Sequence, residues 1–533
     1  MSIAPTISRY ARYGAVFVCM FVGSSCASET ASHSEFGASG AYADASSGTS
    51  GRPTAPVDAV SFGDVSAAGD TGSPIDDQDT AETYEPYAEN DFVDADADPL
   101  ATFSVDVDSA SYTIMRRDVL QSRLPNRNSV RLEEYLNFFD YDYPAPGPES
   151  EAPFGIGLES APSEFGQGMH LLRVALQGDE VPAAERLPAN LVFLIDVSGS
   201  MQSTDKLDLV QFSLKTLVKA LGPDDTLGIV VYAGHDAILL EPTAVRNRVA
   251  LYDAIDALST RGGTAGEAGI RAAYDLAEGA FREGGINRIV LCTDGDFNVG
   301  LTGEPLLELI EEFRDRDITI STLGFGRGNY NDATMEQIAD RGNGNYAFID
   351  NRNEALRTLG TNVVGTLQVI AKDVKVQVEF NPEVVSRYRL VGYDNRVLED
   401  WGFVDDTVDA AELGAGHNVT AFLEVELVDG VVPGEGEQEV AAILLRYKQP
   451  DGDVSTQVGR TFAVSEMGTD FEDASRSFRF AAAVTEFAEI LRGSRHTDGE
   501  RFEDIIRITE VAAFADHPDM QEFPQLVQIA AGL

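Results

Sequence analysis

Apolar and polar positions follow three different rhythms along this chain. In the middle third, short apolar runs alternate with amphipathic segments. LVFLIDVS (191–198), TLGIVVYAG (226–234), NRIVLCTDG (287–295), DITISTLGFG (317–326) and NYAFID (345–350) read as strands buried on both faces. AILLEPTAV (237–245) reads as a further strand pairing close by. Between the runs lie KLDLVQFSLKTLVKAL (206–221), GEAGIRAAYDLAEGAF (266–281), PLLELIEEFRDR (305–316) and DATMEQIADR (332–341), all with helical spacing; Val210, Leu214, Leu217 and Leu221 form one stripe. This alternation predicts an α/β, doubly wound, Rossmann-like domain with a parallel sheet covered by helices on both sides.

The flanks carry other periods. After about residue 370, DVKVQVEF, NVTAFLEVELV, EVAAILLRYKQ and STQVGRTFAV alternate apolar and polar positions between turns such as PDGD, the pattern of an antiparallel sandwich. Helices then close the chain: ASRSFRFAAAVTEFAEILR, RFEDIIRITEVAAFA and a last piece near FPQLVQIA. Upstream, ATFSVDVDSASY reads as a strand followed by a helix with Asp108 or Ser109 as N-cap. VRLEEYLNFFDYDYP places Leu132, Tyr135, Leu136 and Phe139 on one helical face, and residues 154–181 read as strands, LLRVALQG the clearest. Strands before residue 190 and after residue 370 predict that the α/β domain is inserted into a composite sandwich, which requires the two flanks to pair. Asp106 and Asp108 of VDVD are read as capping residues in preference to a second metal site.

The amino terminus has a different logic. Arg9 and Arg12 precede YGAVFVCMFV, an apolar run of about ten residues, where a membrane span needs about 20. Small residues follow in GSSC. Residues 1–25 are therefore expected to be a signal peptide, and Cys26 resembles the lipid-modified cysteine of a bacterial lipobox, although Gly23 stands where an aliphatic residue is usual. A plain secretory signal is the alternative. Residues 26–100 are rich in Ser, Ala, Gly and acids and predict a disordered tether, about 70 coil residues spanning roughly 45 Å. The remaining boundaries are an amino-terminal segment 101–188, the α/β domain 189–368 and a β-rich plus helical domain 369–533.

Composition narrows the partners. The 533 residues include 88 Asp and Glu against 39 Lys and Arg, a formal charge of −49. A polyanion would be repelled, which argues against nucleic acid. The chain has three cysteines, Cys19, Cys26 and Cys292, so no disulfide framework is expected, and Cys292 reads as a core thiol.

The candidate chemistry stands where ligands bind in doubly wound sheets, beyond the carboxyl ends of strands. One strand ends in Asp196, Ser198 and Ser200. The loop RGGT supplies Thr264, and a second strand end supplies Asp294, with Gly199, Gly262, Gly263 and Gly295 alongside. All are hard oxygen donors, the set that selects Mg²⁺, Ca²⁺ or Mn²⁺ over zinc or copper. Five short side chains leave an octahedral cation one position short, open to a carboxylate from another molecule.

DVSGS, GGT and TDG in this order resemble the metal-ion-dependent adhesion site of von Willebrand factor type A domains. The resemblance implies that Ser198, Ser200 and Thr264 bind the cation directly and that Asp196 and Asp294 act through water. SVDVDSASYTIMRRDVL and LPNRNSVRLEEYLNFFDYDYP, with the tail after 370, extend the likeness to bacterial YfbK-type von Willebrand factor A lipoproteins. The expected function is a lipid-anchored cell-envelope protein that binds a protein partner through a divalent cation, Mg²⁺ first. The alternative is a structural or assembly scaffold in which the metal only stabilises the fold. Catalysis is not expected: Ser198 and Ser200 lack a GxSxG elbow and a base, and there is no GxxxxGK[ST] loop.

Overall fold

The computed structural model describes residues 82–147, 150–166, 168–233, 235–260, 267–295, 303–328, 330–497, 499 and 501–533. The expected signal peptide, the lipidation site Cys26 and most of the expected tether lie outside the described residues.

The amino flank runs β1 (Val93–Asp94), β2 (Leu100–Ser104), α1 (Ala110–Leu120), α2 (Leu132–Asn137), β3 (Phe154–Pro162) and β4 (His170–Gly178). The α/β unit follows as β5 (Ala189–Asp196), α3 (Leu207–Ala220), β6 (Thr226–Ala233), β7 (His235–Ala244), α4 (Arg248–Asp256), α5 (Glu267–Gly279) and β8 (Ile286–Thr293). It continues with α6 (Glu304–Arg314), β9 (Thr319–Phe325), α7 (Asp332–Arg341), β10 (Tyr346–Ile349), α8 (Arg352–Leu356) and α9 (Val363–Leu367). The carboxyl flank comprises β11 (Val369–Phe380), β12 (Val385–Val391), β13 (Leu413–Gly414), β14 (Asn418–Leu427), β15 (Glu439–Lys448) and β16 (Thr456–Ala463). It ends with α10 (Arg476–Arg492), α11 (Phe502–Ala512) and α12 (Pro518–Ala530).

In the α/β unit the strand order is β10-β9-β8-β5-β6-β7. All pairs are parallel except β6 with β7, which is antiparallel. AILLEPTAV pairs with the strand just before it, as the sequence predicts, and does so antiparallel. β7 begins two residues after β6 ends, too close for the crossover a parallel partner needs. Every residue of β5 is buried, because helices cover both faces. Val210, Leu214, Leu217 and Leu221 pack under one face; Ile270, Ile310 and Ile338, from α5, α6 and α7, pack under the other.

Strands of the two flanks pair with each other. β4 lies antiparallel to β14, with Val174 opposite Ala421, and β2 lies antiparallel to β11, with Phe103 opposite Val376. Two sheets result: β1-β12-β14-β4-β3, and β13-β11-β15-β16 with β2 along β11. Their shared core takes Phe103, Phe154 and Val174 from before the α/β unit and Val376, Leu423 and Ile443 from after it. The α/β unit is thus an insertion in a sandwich that neither flank completes alone. A third layer joins α1 and α2 to α10, α11 and α12, where Tyr112, Phe139, Phe480 and Phe523 meet edge-to-face or stacked.

Two expectations are corrected. Residues 82–100, read as the end of the tether, are ordered against the folded body. Thr83 bridges to Asn331, Val93 and Asp94 add a strand to β12, and Tyr84 and Ala95 are buried. A segment too polar to build its own core can still bury a few apolar side chains on a surface that already exists. Second, Asp106 and Asp108 do not cap α1. Asp106 accepts from Arg396 Nε at 3.1 Å, and Asp108 Oδ1 accepts from the Tyr346 amide at 2.8 Å. The first-turn amide of Ser111 is taken by Glu134 Oε2 at 2.7 Å. The buried acids serve long-range pairs, which satisfy a buried charge as no exposed cap can.

The same rule governs the flank's arginines. Arg131, at the start of α2, donates to Glu134 and Asp332, and Arg116 donates to Asp350 and Glu354. These pairs lock α1 and α2 onto the α/β unit.

Candidate metal centre

Asp196 closes β5 and is fully buried. Its Oδ1 accepts from the Ser198 amide at 2.8 Å, a local turn that swings the chain away from the sheet. Its Oδ2 accepts from the Thr293 hydroxyl at 3.2 Å, which ties the end of β5 to the end of β8. Ser198 and Ser200 follow, with hydroxyl oxygens 2.9 Å apart. Burial pushes the Asp196 carboxyl up to about 6; the Ser198 bonds oppose the rise, and the negative charge of Asp294 adds to it.

Asp294 follows directly on β8 and is also fully buried. The turn there needs glycine: Gly295 sits at φ +90°, and a Cβ would lie 2.6 Å from Tyr330 Cα and Asn331 N. Asp294 Oδ2 accepts from Lys206 Nζ at 2.8 Å. Its Oδ1 is buried with no hydrogen-bond partner among the described residues.

The fold therefore brings Asp196, Ser198, Ser200 and Asp294 to one edge of the sheet. Thr264 lies in 261–266, outside the described residues, together with Gly262 and Gly263. The residue that sequence reasoning missed is Lys206. Its stem lies against Gly326, where a Cβ would stand 2.3 Å from Lys206 Cγ, so the glycine makes room for it. The signal was present: KL opens α3 directly after the serine loop, and a helix that starts at the top of the sheet carries its first residue to the same rim.

Among the described residues no cluster of three or more His, Cys, Asp or Glu side chains is arranged for a metal. This centre depends on two carboxylates and neighbouring hydroxyls instead. An orphaned buried carboxylate oxygen, beside a second carboxyl that burial disfavours as an anion, fits a hard divalent cation. Lys206 supplies one positive charge against two acids.

Three family models match the chain. One described as von Willebrand factor type A domain covers residues 190–362, one described as von Willebrand factor covers 78–173, and one described as uncharacterized protein YfbK, C-terminal, covers 365–533. The uncharacterized protein YfbK of Escherichia coli (strain K12) is 37% identical over 471 residues, 84% of this chain and 81% of that protein. The uncharacterized protein sll0103 of Synechocystis sp. is 34% identical over 188 residues, 35% of this chain and 44% of that protein. A solved von Willebrand factor type A structure from Catenulispora acidiphila covers 73% of this chain and 89% of its own, at 16% identity and a TM-score of 0.41.

Proposed function

The chain belongs to the YfbK family of bacterial von Willebrand factor type A proteins, and from that membership we propose that it captures a protein partner through a divalent cation held at the rim of its α/β sheet. A protein-interaction or scaffold role is what the type A domain carries. The finer reading assigns Asp196, Ser198, Ser200, Thr264 and Asp294 to the cation, with Mg²⁺ first and Ca²⁺ or Mn²⁺ as alternatives. The observation that supports it most directly is the unpartnered buried oxygen of Asp294. A bound cation would supply an open coordination position for an acidic side chain of the partner. Asp196 and Asp294, fixed by β5 and β8, hold the donors rigid, so capture needs little reordering of the site.

The proposal is non-catalytic. The hydroxyls of Ser198 and Ser200 face each other at 2.9 Å, and no histidine bonds either of them among the described residues. The proposed location is the cell envelope, with a lipid on Cys26 as the membrane anchor and the acidic segment that follows as the spacer.

The test is cross-linking and pull-down from intact cells with Mg²⁺ present, repeated with EDTA and with Asp196→Ala. Loss of the same partner in both conditions is expected. Capture that survives both would favour the second reading, a structural or assembly scaffold in which the metal only stabilises the fold.

A further inference from the structure

A cavity of about 610 Å³ lies at the opposite end of the α/β sheet from the candidate metal centre. It opens where three layers meet: the amino ends of β5 and β8, the loop Ala415–Asn418 of the sandwich, and Phe138 and Met520 of the helical layer. Its size falls within the about 300–1,000 Å³ of small-molecule sites. Leu191, Phe193, Leu217, Val290 and Leu323 make its floor apolar.

The polar groups set into this floor are unbalanced. Arg288, on β8, is buried, 2% exposed. Its guanidinium donates to Thr319 Oγ1 at 3.0 Å, to Ser321 Oγ and Asn345 Oδ1 at 3.3 Å each, and to the Thr366 carbonyl. None of these acceptors is a carboxylate. The acid acting on Arg288 is Glu412, whose own carboxyl burial pushes up to about 8, so it carries little charge at neutral pH. His417 Nδ1 and Asn418 Oδ1, which also line the cavity, are buried with no hydrogen-bond partner among the described residues. Burial, then the charges of Arg357 and Arg288, push the His417 ring down to about 4, leaving it neutral. Arg357 is compensated by Glu354, which it bonds at 2.6 Å. Of the lining acids, Asp140, Glu180 and Asp516 are exposed to solvent, and the half-buried Asp519 stands 4.0 Å from Arg116 Nη1. Among the described residues Arg288 thus has no carboxylate bonded to it beside an apolar cavity, inside a chain of charge −49. A buried guanidinium in that position is stabilised by any anion that reaches it.

We propose that this cavity binds a single-chain anionic amphiphile, its carboxylate or phosphate on Arg288 and His417 and its hydrocarbon on the floor of Leu191, Phe193, Val290 and Leu323. The apolar floor selects the chain, the arginine selects the head. The inference is independent of the metal site, which occupies the other end of the sheet.

The test is equilibrium dialysis of the full chain against dodecanoate, dodecyl phosphate and the neutral 1-dodecanol. The first two distinguish a carboxylate from a phosphate head. One anionic ligand per chain is expected, with 1-dodecanol at least about tenfold weaker. Arg288→Met is expected to erase that preference. Val181→Trp, which fills the cavity from the sandwich side without touching the charges, is expected to abolish uptake while circular dichroism stays that of the parent. No uptake of either anion, equal uptake of dodecanol, or full uptake by Val181→Trp would each overturn the proposal.

Discussion

Lys206 Nζ stands 2.8 Å from Asp294 Oδ2, a buried ion pair at the rim where β5 and β8 end. The lysine opens α3, and the aspartate lies 88 residues further along the chain. The ammonium occupies one oxygen of a carboxylate whose other oxygen has no partner among the described residues. The proposed cation would therefore compete for Asp294 with Lys206, a cation built into the chain.

Replacing Lys206 by Met removes the built-in competitor. Divalent affinity is expected to rise about tenfold or more, read by Mn²⁺ titration with electron paramagnetic resonance. Without metal the same variant leaves Asp294 buried and unpaired, and is expected to lose about 3–5 kcal/mol of stability in urea. Unchanged metal affinity would show that the lysine and the cation do not share this carboxylate.

The proposed capture of an acidic partner by so acidic a protein would carry a salt dependence. Distant carboxylates repel the partner, and at physiological ionic strength they are screened beyond about 8 Å. At fixed Mg²⁺, capture is expected to strengthen as NaCl rises from low to moderate concentration. A steady decline in surface plasmon resonance would count against a cation-bridged acidic contact.

Glu133 on α2 gives the fold a pH dependence. Its Oε2 accepts from the Tyr393 amide at 2.8 Å, and burial, with the charges of Asp106 and Asp394, pushes its carboxyl from 4.5 up to about 7. The folded state thus holds this proton more tightly than the unfolded one. Its stabilising contribution is complete below pH 4.5 and is lost as pH rises through 7, about 3 kcal/mol over that window. Glu133→Gln keeps the acceptor and cannot ionise. Its denaturation midpoint is expected to fall less between pH 5 and 8 than that of the parent.

Arg131 connects the amino flank to the α/β unit through Glu134 and Asp332. Arg131→Met is expected to cost about 3–5 kcal/mol, because it strands buried acids. Limited proteolysis should then cut first between the flank and the inserted unit. Resistance equal to the parent would mean that the Arg116 pairs with Asp350 and Glu354 hold the flank on the α/β unit without Arg131.

The proposed lipid on Cys26 has its own test. Cells fed radiolabelled palmitate are expected to label the full chain and not Cys26→Ser. Equal labelling of both would remove Cys26 as the site.

Periodicity made much of the architecture legible in the sequence alone. Strand and helix rhythms follow from which side chains face a core, and that is a local property. The stripe Val210, Leu214, Leu217 and Leu221, the strand β5 and the pairing of sandwich strands from both flanks could be read without coordinates. So could the positions of Asp196 and Asp294 at strand ends, because topology dictates where parallel strands terminate. The buried charges could not. Arg116, Arg117 and Arg131 lie in helical segments where a cation ordinarily faces water, and they are buried only because Glu82, Asp332, Asp350 and Glu354 arrive from elsewhere in the chain. Lys206 on Asp294, Arg288 bonded to no carboxylate among the described residues and the ordering of residues 82–100 are of the same kind. Whether a charge is stable in the interior depends on the partner that meets it there, and only the tertiary structure chooses that partner.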